Sequence, residues 1–332
     1  MKITLKDIAQ KTGYSINTVS RALNDKDDIA EGTKSIIKQA AKDMGYIPNN
    51  IASGLRSGLS KTIAVILGDI SNPYFSILAK HIEIAARKYG YTIFVLNTDE
   101  RYELEEQAIY TAMSRGVDGI ILFPAQKKDE DIKLLKESNM PFVIVGRYFK
   151  ECEDTDYLVA DDVKGGYLAT EHLIKKGRKR ILLLKGPDYL SPSLEREEGY
   201  RRALADNGIE FDPKLLKRIS ILAGHSYSAM KKIIAQGIDF SGIFAFSDVI
   251  AWEAIHALED AGLRVPDDVS IVGYDNIQSQ LYFPWSLTTI NISKSKMAHK
   301  AVDILMKRIN GQNNGKYYHE VFDTKLIIRN SS

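Results

Sequence analysis

LKDIAQKTGYSINTVSRALN, residues 5–24, is the stretch whose reading decides the fold. Thr4 just before it, with Asp7 three residues on, marks a helix start where a hydroxyl can cap free backbone N–H groups. Leu5, Ile8 and Ala9 then share one face at helical spacing. Gly13 supplies a turn, because a positive φ costs glycine little. Ser15 is a second N-cap, opening a helix that turns Val19, Ala22 and Leu23 inward. Further on, Ile36, Ile37, Ala40 and Met44 repeat the helical spacing and Gly45 stops it. Three short helices, the first two joined by a tight turn, describe a helix-turn-helix module.

The outward face of the second helix carries Ser15, Ile16, Asn17, Thr18, Ser20 and Arg21. Asn pairs bidentately with adenine and Arg with guanine in the major groove. Hydroxyls and helix N-termini suit phosphate oxygens. Residues 1–61 hold ten Lys/Arg against six Asp/Glu, a balance of +4, while the remainder of a chain of net charge +2 is slightly acidic. That asymmetry points to a polyanion partner for the N-terminus. The same pattern also serves a three-helix bundle that docks on another protein.

The stretch YIPNNIASGLRSGLSKT follows from Tyr46. Pro48 disfavours helix at Ile47, and Gly54 and Gly58 weaken what comes after. An isolated helix this short is marginal, so Asn50–Ser57 reads as a linker that is helical only when something holds it. Leu55 is an apolar residue there with no local core to enter.

The chain is 332 residues long, 44% hydrophobic and 27% charged, the composition of a protein that buries real cores in two or three domains. Disordered, collagen-like and coiled-coil readings are excluded. A single cysteine, Cys152, allows no internal disulfide framework and no cysteine-rich zinc site, and the six histidines never approach an HExxH spacing. No metal or cofactor is expected. The opening MKITLKDIAQK is not a signal peptide, and no apolar run reaches about 18 residues, so a cytoplasmic protein without a membrane partner is expected.

Headpiece and linker together, LKDIAQKTGYSINTVSRALN and then GYIPNNIASGLRSG, closely resemble the N-terminus of LacI/GalR-family transcriptional regulators. The resemblance extends over essentially the whole chain. It implies a DNA-binding headpiece over residues 1–46, a hinge over 47–61 that folds on operator DNA, and an effector-binding and dimerisation domain over 62–332. Ile16, Asn17 and Arg21 would read bases. Thr4, Ser15, Thr18, Ser20, Asn24, Thr33, Tyr46 and Asn49 would help contact the DNA backbone. Ala52 and Leu55 match the hinge positions that enter the minor groove, where an apolar wedge can unstack a step. Ile16 is apolar where many relatives are polar, which suits a thymine methyl.

Beyond residue 61, apolar strand-like runs alternate with amphipathic helices, the signature of parallel α/β construction. TIAVIL, YTIFVLN, GVDGIILFPA and PFVIVGR form one series; RILLLKG, GIDFSGIFAFSD and DVSIVGYDN form a second. GVDGIILFPA resembles GIDFSGIFAFSD, and PFVIVGR resembles VSIVGYD, at comparable places in the two halves. A crossing segment, LTTINISKSKMAHKAVDILMKRI, precedes a last strand near Lys325–Arg329. The expected fold is an all-α helix-turn-helix headpiece plus a two-lobed α/β body, two doubly wound parallel sheets, periplasmic-binding-protein-like as the resemblance implies. Such sheets bind ligands at their strand C-termini.

Polar and aromatic residues on those strand ends are Asn72, Tyr74, Phe75, Arg147, Asp161, Arg196, His225, Ser247 and Asp275. Flat rings stack on sugar C–H faces, and planar charged groups bond vicinal hydroxyls bidentately. In the family, Arg196 and Asp275 match effector contacts, and Tyr74, Phe75, Arg147, His225 and Ser247 match pocket-lining positions. Asp275 and Asp248 could instead merely cap helices, Tyr74 and Phe75 could be lobe core, and Arg196 a surface ion-pair partner. Ser247 stands where Asn is frequent, and Glu253 where Gly is frequent.

The expected partners are double-stranded, pseudo-palindromic operator DNA, a small carbohydrate effector and a second copy of the chain. IIRNSS at the end has no apolar heptads, which favours a dimer over a tetramer. The function expected is repression of carbohydrate-utilisation genes. A phosphoprotein corepressor is the alternative within the class; a sugar-processing enzyme or binding protein is the alternative outside it. No Walker loop or nucleophile elbow supports an enzyme.

Overall fold

The computed structural model describes residues 3–47, 58–222, 224–279 and 286–332. The chain divides into two compact units between Ser60 and Lys61.

The first unit contains α1 (Leu5–Thr12), α2 (Ile16–Leu23) and α3 (Glu31–Asp43). Gly13 takes φ +78° in the turn between the first two. Ser15 caps α2, its hydroxyl oxygen accepting from the Thr18 N–H at 3.0 Å. At α1 the Thr4 hydroxyl instead donates to Asp7, whose carboxylate also accepts from the Thr4 N–H. Ile8, Ala9, Val19, Ala22, Ile37 and Ala41 form the core. Ile36, expected inside, is 53% exposed. The inward stripe of α3 runs instead through Ile37 and Ala41, four residues apart, and Ile36 lies about 100° round the helix from its neighbour.

The second unit carries two six-stranded sheets. β1 (Thr62–Leu67), β2 (Thr92–Asn97), β3 (Gly119–Leu122), β4 (Phe142–Val145) and β5 (Tyr157–Ala160) belong to the first. Between them run α4 (Pro73–Lys88), α5 (Tyr102–Ser114) and α6 (Glu130–Glu137). The chain then crosses to a second lobe with α7 (Asp162–Lys175), β6 (Ile181–Lys185), α8 (Ser191–Asp206), β7 (Leu216–Arg218), α9 (Ser226–Ala235), β8 (Gly242–Ala245), α10 (Asp248–Asp260), β9 (Ser270–Asp275) and β10 (Thr288–Ile292). It returns through α11 (Lys294–Ile309), which packs on the first sheet, to β11 (His319–Phe322), and crosses once more to β12 (Thr324–Ile327).

The strand orders are β2-β1-β3-β4-β5-β11 and β7-β6-β8-β9-β10-β12. The first sheet is parallel throughout; the second is parallel except for its edge strand β12, which runs antiparallel to β10. The single expected last strand is two short ones, one for each sheet. Pairing is set by which sheet edge is vacant, a property local sequence does not carry. Continuous apolar strands such as TIAVIL are buried on both faces, as parallel sheets covered by helices require. In each sheet the strand order reverses at the first strand, and the crevice beside such a reversal is where doubly wound sheets bind ligands. Among the described residues no helix is long and apolar enough to cross a membrane.

One buried acid under the first sheet is set apart by its surroundings. Glu105 of α5 is 1% exposed and accepts from the Ala125 N–H. Burial, together with the negative charges of Asp131 and Glu100, pushes its carboxyl up to about 8. A carboxyl whose folded value is raised holds its proton more tightly in the native state. Its contribution to stability is full below its ordinary value of 4.5 and is lost as pH rises through about 8. Glu105→Gln, which copies the protonated form, is expected to flatten this pH dependence and to stabilise the protein at pH 8–9 by about 1–2 kcal/mol. Urea unfolding of both proteins at pH 5 and pH 9 checks it; an equal loss of stability at both values would show that Glu105 works ionised.

Candidate functional site

The headpiece and the cleft of the body are two separate sites. On the headpiece, Ser15, Ile16, Asn17 and Arg21 are exposed along one side of α2, and Ile16 is 50% exposed. Thr18 and Ser20 are half-buried; Thr18 shares its hydroxyl with Ser15 at 2.9 Å. Thr4 and Asn24 are exposed at helix ends, and the Asn24 amide donates to the Ser20 carbonyl at 2.7 Å. Thr33 lies half-buried in the first turn of α3, and Tyr46 packs against the headpiece core. Asn49, Ala52 and Leu55 lie outside the described residues.

Sequence reasoning missed the partner of Arg21. Its guanidinium sits 2.6 Å from Asp28, and both side chains are largely exposed. An exposed pair of this kind contributes little to stability.

In the body, strand C-termini of both lobes meet at one cavity of about 60 Å³, room for a few water molecules. From the first lobe come Asn72, Tyr74, Phe75 and Arg147; from the second, Arg196, Ser247 and Asp275. Asn72 is the N-cap of α4, its side chain accepting from the Tyr74 N–H at 3.0 Å. That cap turns the Tyr74 and Phe75 rings, 5.1 Å apart and edge-to-face, into the cleft. Ser247 caps α10.

Arg196 reaches in from α8 and is 7% exposed. Its Nε donates to Asp162 at 2.8 Å, Nη1 donates to the Phe246 carbonyl, and its plane lies 3.5 Å from the Tyr274 ring centre and 4.4 Å from that of Phe246. Burial alone would weaken its charge; the Asp162 carboxylate outweighs that and holds the proton on. Asp275, 7% exposed at the end of β9, has φ +101°, a conformation that L side chains rarely adopt. The buried Lys294 ammonium holds it there by donating to the carbonyls of Asp275 and Asn276. Burial pushes the Asp275 carboxyl up to about 7, against the pull of Arg196 and Lys294. Behind it Asp248 is fully buried, accepts from Thr289 and from the Ile277 N–H, and is pushed up to about 8 by burial and by Asp275.

Two expected residues are not in this cavity. Asp161 caps α7 by accepting from the Lys164 N–H at 2.9 Å, and the next residue, Asp162, takes the inward position. His225 is exposed at the start of α9. The Glu253 carboxylate bonds the Gly224, Ser226 and Tyr227 N–H groups, and fixes that turn with the imidazole outside. Glu100, Phe123 and Phe246 line the cavity and were not foreseen. Phe246 had a signal, since it immediately precedes Ser247; Glu100 had none.

Residues 4–49 match the model of bacterial regulatory proteins of the lacI family. Residues 60–323 match that of periplasmic binding proteins and the sugar-binding domain of the LacI family. The HTH-type transcriptional repressor PurR of Pasteurella multocida (strain Pm70) is 32% identical over 329 residues, 99% of this chain and 98% of that protein. The HTH-type transcriptional regulator RegA of Clostridium saccharobutylicum is 33% identical over 338 residues, the full length of both. Among solved structures, the complex of the transcriptional regulator CelR with cellobiose is 27% identical, covers both chains fully and superposes with a TM-score of 0.74.

Arg21→Ala is expected to cost about 1–3 kcal/mol on the cognate operator and to relax discrimination at one base pair. Asp28→Asn, which releases the same guanidinium, should tighten binding instead. Competition binding across single-base operator variants reads both, and an unaltered base preference in Arg21→Ala would remove Arg21 from the reading face.

Proposed function

The chain belongs to the LacI family of bacterial regulatory proteins and is a DNA-binding transcriptional regulator, and from that premise we propose that it represses carbohydrate-utilisation genes under control of a sugar held in the cleft of its body. The observation that carries the reading is the convergence of Tyr74, Phe75, Arg196, Phe246 and Asp275 from two lobes on one cavity. Aromatic faces suit the C–H faces of a sugar ring, and a carboxylate beside a guanidinium suits neighbouring hydroxyls. The relative CelR, solved with cellobiose, supports a saccharide as occupant.

A cavity of about 60 Å³ does not admit a sugar as it stands, so entry parts the lobes. That ties occupancy to lobe arrangement. A ligand shifts such an equilibrium only by its difference in affinity for the two arrangements, commonly about 1–3 kcal/mol. The body then transmits lobe arrangement to the hinge, residues 47–61, and so to the headpiece, residues 1–46. Two copies would place two α2 helices on the half-sites of a pseudo-palindromic operator, matching protein symmetry to DNA symmetry. Ile16, Asn17 and Arg21 contact bases in this arrangement, with the hydroxyls of Ser15, Thr18 and Ser20 on phosphates. A DNA partner supports a cytoplasmic location.

Asp275→Ala is expected to abolish the response of operator affinity to sugar while leaving sugar-free operator affinity within about twofold of the wild type. Fluorescence anisotropy with a labelled operator, titrated with a sugar panel, checks it. A variant that responds like the wild type would move the effector out of this cleft.

A further inference from the structure

The effector cavity contains two guanidiniums, and both already have carboxylate partners. Arg147 is clasped bidentately by Glu100, Nη1 to Oε2 at 2.7 Å and Nη2 to Oε1 at 2.8 Å, and Nη1 also donates to the Pro124 carbonyl. Both side chains of this pair are 10% exposed. Arg196 is paired with Asp162 inside the second lobe. The Asp275 side chain, in contrast, has no hydrogen-bond partner among the described residues and opens on the cavity. Lys294 and Asp248 stand behind it, engaged with backbone carbonyls and with Thr289.

The local backbone is shaped around Glu100. Asp99 and Glu100 hold φ +49° and +55°; Asp tolerates this region, but Glu rarely occupies it. Gly68 faces the carboxylate so closely that an added Cβ would lie 2.3 Å from Glu100 Oε1. A strained turn and a bare glycine therefore deliver one negative charge to the edge of the cleft, against the guanidinium that an anionic ligand would otherwise use.

We propose that this cavity selects uncharged sugars and rejects sugar phosphates and uronates, with Glu100 as the specificity-determining residue. The inference rests on the reading of the cleft as the effector site. A phosphate or carboxylate entering here would find no unpaired cation. It would either displace Glu100 or add an uncompensated buried charge beside Asp275, and both are costly. An uncharged polyol meets what the site lacks: hydroxyl donors for Asp275, and acceptors for the remaining Arg196 N–H groups.

Isothermal titration of the full-length protein with glucose, ribose, galactose and cellobiose, against glucose 6-phosphate, ribose 5-phosphate and galacturonate, tests this directly. The wild type should bind at least one uncharged member, and at least tenfold tighter than any charged member. Glu100→Gln, which frees the Arg147 charge, should tighten the charged members at least tenfold relative to the wild type. Equal or tighter binding of a phosphate or uronate by the wild type, with operator affinity responding to it, would overturn the inference and leave the effector cleft standing. Wild-type selectivity with no gain in Glu100→Gln would overturn the role of Glu100. Binding of neither class would overturn the reading of the cleft itself.

Discussion

Arg196 is a buried cation, and the second lobe is built to keep it one. A guanidinium this deep is tolerated only with a carboxylate partner and further hydrogen bonds. Asp162 on α7 and the Phe246 carbonyl at the end of β8 supply these, and the guanidinium also lies over the Tyr274 and Phe246 rings. For an α8 residue to reach an α7 carboxylate, the two helices must touch almost backbone to backbone. An added Cβ at Gly166 would lie 2.3 Å from the Arg196 carbonyl, and one at Gly199 2.1 Å from that of Val163. A Cβ on Gly165 would in turn run into Tyr274 at 2.1 Å. Gly166 and Gly199 thus set the helix spacing that sets the guanidinium, and Gly165 leaves room for the Tyr274 ring it lies over. A buried pair of this kind is weak evidence for stability; what it does here is hold one planar donor at a fixed place in the cleft.

The two lobes are unlike in how they present charge. The second lobe offers a held guanidinium and a carboxylate with capacity to spare, whereas the first offers rings and an ion pair closed on itself. Direct polar bonds also run between the lobes beside the cavity. The Gln126 carbonyl oxygen accepts from the Ser191 N–H at 2.9 Å, and the Tyr148 hydroxyl donates to Glu195 at 2.6 Å. The chain itself passes between lobes at three short crossovers. Parting the lobes therefore breaks these polar bonds, bends the connecting residues and draws on an apolar cluster that contains residues of both sheets.

Much of this was legible in the amino-acid order. The headpiece was, because its helices are set by near neighbours: Thr4 with Asp7, Gly13, Ser15 and the Val19/Ala22 stripe all act within a few residues. The alternation of strands and helices in the body was legible for the same reason, as were Arg147, Ser247 and Asp275, at or just after strand ends, and Tyr74, Phe75 and Arg196, on the helices that follow strands. Asp161 against Asp162 was not, since one step round a helix is about 100° and only the neighbouring α8 says which carboxylate faces a cation.

His225 and Glu100 mark the boundary between the two sources of information. Glu253 ties down the turn before α9 from a separate helix, so His225 is outside for a reason that lies about thirty residues away in sequence. Glu100 reaches Arg147 through two positive-φ residues and a gap left by Gly68, none of which any local pattern signals. The sequence by itself determined the elements, their order and most of the side chains at strand ends, because hydrophobic periodicity and capping are short-range. Tertiary structure alone decided which charges are paired, and therefore what charge the cleft has left to offer, because pairing depends on which elements the fold brings within about 4 Å of each other.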